Sequence, residues 1–174
     1  ITQVPVLTGS LDTSNFTVEG FVPAAEGEFN AQAMSGEGAD MQFSEHFISP
    51  KYFASLGIPL IAGRDFTRAD TQGRQKVAII NETLAKRHFA GRDPIGRRIG
   101  QGRGDKVKLD IEVVGVVADS KQRSVRGATL RSIYFPYMQR ESLGAMTLYV
   151  RTAQDPGSIA GAVRAEVARL DGNL

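Results

Sequence analysis

Hydrophobic and polar positions alternate along this chain with two periods, one near two residues and one near three and a half, and their succession outlines the elements. Phe16 to Val22 reads as a strand, with Phe16 and Val18 on one face, Thr17 and Glu19 on the other, and Gly20 where a bulge would sit. Residues Pro23 to Gly38 are rich in Ala, Gly and Glu with little apolar period, the pattern of a mobile loop. Met41, Phe43 and Phe47 then alternate with Gln42, Ser44 and His46, which predicts a half-buried strand with its polar face toward solvent.

A short helix follows. Ser49 suits its N-cap, Pro50 its first position and Gly57 the left-handed residue that stops it, leaving Tyr52, Phe53 and Leu56 toward the core. Val77 to Ile80 is a compact apolar strand running into a helix over Glu82 to Phe89, capped by Asn81, where Leu84, Ala85, His88 and Phe89 share one face and Lys86 and Arg87 the other. Asp93-Pro94-Ile95-Gly96 is a turn.

Ile111 to Val117 is apolar at nearly every position, as in a central strand covered on both faces, with Gly115 admitting a close neighbour. Pro136 cannot donate to a ladder, so Ile133 to Tyr137 is expected at a sheet edge. Met146, Leu148 and Val150 alternate with Thr147, Tyr149 and Arg151, the cleanest strand pattern in the chain. The last helix takes Asp155 as cap and Pro156 at its first position, stripes Ile159, Val163, Val167 and Leu170 along one side, and stops at Gly172. That stripe is expected to pack on the 146–150 strand. The order predicts an α+β fold with a mixed sheet and packed helices, without repeated βαβ units.

Composition narrows the function. With 21 Lys and Arg against 19 Asp and Glu, the net charge of +2 is too small, and its cations too scattered among acids, to indicate a nucleic-acid partner. Cysteine is absent, which removes disulfides, thiolate zinc sites and a cysteine nucleophile together. No apolar run approaches the ~18 residues that span a bilayer. The opening Ile-Thr-Gln-Val has neither a methionine nor the pattern of an export signal, and a piece of a longer protein is expected.

No motif carries a catalytic or cofactor assignment. Gly96, Gly100, Gly102 and Gly104 form a glycine-rich stretch, but Lys106 lacks the preceding glycine of a phosphate loop and no helix follows, so it reads as a hairpin loop. Arg103-Gly104-Asp105 matches an adhesion tripeptide that recurs by chance, and Asn15-Phe16-Thr17 and Asn81-Glu82-Thr83 match a permissive glycosylation pattern. His46 and His88 have no second ligand three or four residues away and are read as packing residues. Asp65, Asp70, Glu112 and Asp119 could pair as acid and base only in a shared cleft, and are read as turn residues. Lys86-Arg87-His88 and Arg97-Arg98 read as solvated faces that anionic headgroups would attract if they lie near a bilayer. No catalytic, cofactor-binding or metal residue is therefore assigned.

The succession Ile48-Ser49-Pro50-Lys51-Tyr52-Phe53, Leu56-Gly57-Ile58-Pro59-Leu60 and Ala62-Gly63-Arg64-Asp65-Phe66 resembles the MacB-like periplasmic core domain of ABC-transporter permeases of the MacB and FtsX class. So do Val77-Ala78-Ile79-Ile80-Asn81-Glu82-Thr83-Leu84-Ala85, Asp93-Pro94-Ile95-Gly96-Arg97-Arg98-Ile99, Glu112-Val113-Val114-Gly115-Val116-Val117, and the closing Leu148-Tyr149-Val150-Arg151-Thr152 with Asp155-Pro156. The order and spacing of these segments, from about Phe16 onward, carry the likeness.

The resemblance implies an extracytoplasmic domain on the periplasmic side of the inner membrane, without enzyme activity or cofactor. It implies a role in binding a substrate or adaptor and in transmitting ATP-driven motion during export. It also implies a division. Residues 16–60 with 145–174 would form a porter-like subdomain from both ends of the chain, and 61–144 an inserted, mainly β subdomain; residues 1–15, outside the likeness, are expected to connect from a first membrane span. The implied partners are the protein's own membrane spans, a cytoplasmic ABC ATPase, a second permease copy or duplicated half, and a periplasmic adaptor. A free-standing extracytoplasmic ligand-binding or hydrolase domain is the alternative, since fold alone does not decide function.

Overall fold

The computed structural model describes residues 1–10, 12–22, 40–142 and 144–170. The loop expected over Pro23 to Gly38 and the stop at Gly172 lie outside them.

Seven strands are described: β1 Thr13–Val18, β2 Gln42–Ile48, β3 Leu60–Gly63, β4 Lys76–Asn81, β5 Arg98–Gln101, β6 Ile111–Val117 and β7 Ser132–Pro136. The helices are α1 Tyr52–Leu56, α2 Glu82–Phe89 and α3 Pro156–Leu170. The strands form one mixed sheet in the order β3-β6-β4-β7-β2-β1-β5, and β5 also pairs with β6. That last pairing closes six of the strands into a ring, because Arg98 and Ile99 meet Glu112 and Ile111. β3 pairs farther along β6, through Leu60 with Val117 and Gly63 with Gly115. The result is α+β, as the element order predicts.

Closure creates two cores. Inside the ring Phe16, Val18, Phe43, Ala78, Ile80, Ile99, Ile111, Val113, Val116 and Ile133 pack with Leu84 and Phe89 of α2. Outside it, Ile48, Val77, Ile79, Val114, Val117 and Tyr134 are covered by Tyr52 and Phe53 of α1 and by Phe66. β6 faces both. Its register against β4 jumps between Ala78 and Ile79, and the extra residue at Val114 resets the alternation so that Val113 and Val116 both point inward.

Several sequence expectations hold at residue level. Gly57 ends α1 at φ 70, and Asn81 caps α2 by accepting from Leu84 N–H. A Cβ on Gly115 would sit 2.5 Å from the Arg64 carbonyl oxygen, which is the close approach that glycine permits. Others are corrected. β1 starts three residues before Phe16 and ends at Val18, and Gly20 (φ 71) turns the chain after it rather than bulging within it. Lys51 at φ 66, not Ser49, precedes α1, and no side chain caps that helix.

β7 lies between β4 and β2 rather than at an edge. Pro136 is tolerated because β4 meets β7 only at Tyr134 and Ile133, so the missing N–H falls beyond that ladder. The expected strand over Met146 to Val150 reduces to a bridge between Thr147 and Thr2. Leu148 and Val150 remain half-exposed. With no strand there to cover, Ile159, Val163 and Val167 of α3 are only half-buried, and its other described side chains except Ala160 are exposed. Val163→Asp is therefore expected to leave the thermal midpoint within about 2 °C of wild type, as for a surface change of ±0.5 kcal/mol. A drop of roughly 10 °C in a calorimetric scan would mean that the stripe is buried after all.

Candidate functional site

The N-terminal segment and residues 147–151 meet beside α1. Thr2 and Thr147 exchange backbone hydrogen bonds of 3.0 and 2.7 Å, and Thr2 also bridges Ile48 at the end of β2. Tyr149 then reaches across. Its hydroxyl accepts from the Val6 N–H at 2.8 Å, and its ring meets Tyr52 edge-on at 6.4 Å. Two residues later the Arg151 guanidinium donates to the Ala54 carbonyl at 3.1 Å, at the back of α1. A groove of about 420 Å³ runs beside this junction, lined by Ser55, Leu56, Tyr149, Val150, Thr152 and Pro156 among others. Alternation at Tyr149 predicts a strand, while the structure uses the aromatic ring as a clasp between the N-terminal segment and α1.

Beneath the clasp lies a buried polar hub on the outer face of the sheet. Gln122 is 8% exposed, and its amide donates to the Ser120 hydroxyl at 2.6 Å and more weakly to the Tyr134 hydroxyl at 3.4 Å. Tyr134 is fully enclosed, and burial pushes its hydroxyl up to about 12. Burial also raises Tyr52, with Tyr134 and Tyr149 adding to the effect. Both phenols stay protonated donors at neutral pH.

His46 stacks on Tyr134 at 5.0 Å, and its Nε2 sits 2.9 Å from the Ser44 hydroxyl. The strand face predicted to meet solvent is thus covered, because the outer side of the ring is itself packed. A serine beside an imidazole has the form of a nucleophile and its base. Here both are 3% exposed, and Nδ1 has no hydrogen-bond partner among the described residues to orient it. The pair serves packing.

Burial lowers His46 to about 4. An imidazole whose folded value lies below its unfolded value of 6.5 gives stability that is complete above 6.5 and is lost as pH falls toward 4. The loss is on the order of 3 kcal/mol. Burial lowers His88 as well, against the opposing contact of its Nε2 with the Asp40 carbonyl, so its contribution has the same sign. The expected result is a steep fall in melting temperature between pH 6.5 and pH 4, flattened in His46→Gln. Equal slopes in the two proteins would show that His46 does not couple protons to folding.

Three of the four carboxylates singled out by sequence find donors rather than one another. Asp119 accepts from Asn81, from Thr83 N–H and from the Thr83 hydroxyl at 2.7 to 3.0 Å. Asp65 accepts from Lys51 N–H and Phe66 N–H. Asp70 takes two bonds of 2.9 Å from Arg64 and one of 2.7 Å from Thr67 N–H. Burial opposes its ionisation, but the bonds from Arg64 and Thr67 outweigh it and hold the carboxyl below its ordinary value. Asp70 and Glu112 do share an open groove of about 710 Å³ with Arg64 and Arg74. Asp70 is there the ionised partner of Arg64.

Gly102 and Gly104 take φ 111 and 99 in the turn between β5 and β6, where Arg103 donates to the Asn15 side chain at 3.0 Å. The glycines serve a hairpin turn. Asn81 is 1% exposed and closed to modification. Lys86 pairs with Glu82 at 2.7 Å, Arg87 with Asp40 at 3.0 Å, and Arg97 lies 4.0 Å from Glu19. Among the described residues no group of His, Asp and Glu is arranged to hold a metal ion, and no helix is long and apolar enough to cross a membrane.

The chain matches the family model of the MacB-like periplasmic core domain over residues 4–170. It is 33% identical over 100 residues to a probable export ATP-binding/permease protein MacB of Pseudomonas entomophila, covering 57% of this chain and 14% of that protein. It is 30% identical over 90 residues to the macrolide export ATP-binding/permease protein MacB of Aggregatibacter actinomycetemcomitans, covering 52% and 13%. The chain thus spans a small part of the length of these curated relatives. Among solved structures it resembles the periplasmic region of MacB from Actinobacillus actinomycetemcomitans, with TM-score 0.55 and 18% identity over 98% of this chain and 76% of that one. It also resembles a domain of a putative permease from Porphyromonas gingivalis, with TM-score 0.53 and 19% identity over 97% and 67%. At those identities the likeness is one of fold.

Proposed function

Because this chain belongs to the MacB-like periplasmic core domain family, we propose that it serves a larger export permease as a non-catalytic module, binding substrate or adaptor and passing on motion driven by a cytoplasmic ABC ATPase. The observation that carries this reading is the clasp. Residues 2 and 147 pair directly, and Tyr149 and Arg151 fasten that pairing to Val6 and α1. A domain that enters and leaves a membrane protein at one place needs such a junction, since it ties displacement of the N-terminal segment and of residues 147–151 together and to the body of the domain.

The reading includes the division into a connection over 1–15, a porter-like part over 16–60 with 145–174, and an inserted part over 61–144. Contacts of 145–152 with the N-terminal segment and α1 support the second grouping. The shared sheet, in which β2 of the first part runs parallel to β7 of the second, joins the two parts firmly. The reading also includes a second permease copy or duplicated half, and an adaptor on the periplasmic side.

The test uses the full-length protein with its ATPase. Tyr149→Ala removes one hydrogen bond and one edge-on ring contact, about 1–2 kcal/mol, which leaves both cores intact. Export is expected to fall at least tenfold while nucleotide binding and the folding of the domain persist. Normal export by this variant would overturn the reading. The purified chain is expected neither to hydrolyse nor to bind ATP, and measurable turnover would restore the hydrolase alternative.

A further inference from the structure

We propose that the loop over residues 121–127 is a preformed knob that rests on the anionic phospholipid surface of the membrane. From Lys121 to Arg140 the chain carries five cations and no carboxylate. Two of the five are spent elsewhere: Arg131 lies 3.7 Å from Asp40, and Arg140 sits 4.2 Å above the Phe47 ring. Lys121 staples the loop, donating to the Gly127 carbonyl at 2.7 Å, while Gly127 N–H donates to the Ser124 hydroxyl at 3.0 Å. Gln122 plugs its base into the buried hub.

What projects from this rigid base is Val125, 70% exposed, between the exposed guanidinium groups of Arg123 and Arg126. Neither arginine has an ion-pair partner among the described residues, unlike Lys86, Arg87 and Arg97. An apolar tip flanked by unpaired cations matches the boundary between acyl chains and anionic headgroups.

The position of the knob selects this counterpart. Leu7 N–H and Gly9 N–H donate to the Gln122 and Arg123 carbonyls at 2.7 and 3.3 Å, so the knob is bonded to the N-terminal segment. Residues 1–9 carry no charged side chain to offset it, and Leu7 adds a second aliphatic residue, 51% exposed. The proposal rests on the reading above that residues 1–15 connect from a membrane span.

The test is sedimentation of the 174-residue chain with vesicles of phosphatidylglycerol and phosphatidylethanolamine, against vesicles of phosphatidylcholine alone. Binding is expected to the anionic vesicles only and to weaken with added salt. Arg123→Gln with Arg126→Gln should lower partitioning about thirty-fold, and Val125→Ser several-fold, with melting temperature unchanged. Lys86→Gln, which removes a cation already paired with Glu82, should leave it unchanged. Absence of binding to anionic vesicles at low ionic strength would falsify the proposal and leave an acidic protein surface as the counterpart, and equal binding to phosphatidylcholine would overturn it too. If vesicle binding fails while Tyr149→Ala still uncouples export, only the knob is wrong. If vesicles bind while that variant exports normally, the functional reading fails instead.

Discussion

Phe43→Ala is expected to lower the unfolding free energy by about 4 kcal/mol and the thermal midpoint by roughly 12 °C. Phe43 is fully buried inside the strand ring, stacked on Phe16 at 5.4 Å with nearly parallel planes and edge-on to His88 at 4.9 Å. Truncation removes the transfer free energy of the ring and leaves a cavity that strands β1 and β2 cannot close, because each is hydrogen-bonded on both sides around the ring. Phe47, on the same strand, supplies the control. It is only half-buried and rests against Phe135 and Arg140, so Phe47→Ala should cost less than half as much. Urea unfolding of the two variants decides the matter. Equal losses would mean that the ring interior relaxes freely and is not the main core.

Asn81→Ala should match that loss at about 4 kcal/mol by a different route. Asn81 ends β4 and caps α2, and its side chain makes four hydrogen bonds. The oxygen accepts from Leu84 N–H at 3.2 Å and Ser132 N–H at 2.9 Å, and the amide donates to Asp119 at 2.7 Å and the Leu130 carbonyl at 2.9 Å. Loss of the cap alone costs about 1 kcal/mol, and each buried backbone group left without a partner about 1–3 more. Asn81→Asp gives the sharper measurement. It keeps the two acceptor bonds but sets a carboxylate against Asp119, so its deficit should shrink as pH is lowered from 7 toward 4. A deficit independent of pH would place Asp119 out of reach of residue 81.

These two residues mark where the sequence could and could not be read. Asn81 was legible: a polar residue between an apolar strand and a helical period is a cap, whatever surrounds it. Phe43 was legible as buried, but not as the centre of a closed ring, because closure depends on β5, four residues with two arginine or glycine positions and too short for any period. The same holds for β3. The polar face of β2 was misread for a related reason. Ser44 and His46 alternate as solvent residues do, yet the outer side of the ring is covered by α1 and the Gln122 hub, and no local pattern announces a second layer.

Partner availability explains the opposite error. Met146 to Val150 has a better strand pattern than β7, but a strand exists only where another backbone completes its hydrogen bonds, and among the described residues only Thr2 reaches it. Ile159, Val163 and Val167 of α3 then stay half-buried, with no strand over 146–150 for them to cover. The unpaired arginines beside Val125 were hidden in the same way, since a run of cations looks alike whether or not acids fold against it. Sequence by itself determined the α+β class, the family likeness, the Asn81 cap of α2 and the Gly57 stop of α1, because apolar period and backbone preference act within a few residues. Tertiary structure alone decided which strand edges meet, which polar faces are covered and which charges find partners, because those depend on groups brought together from distant parts of the chain.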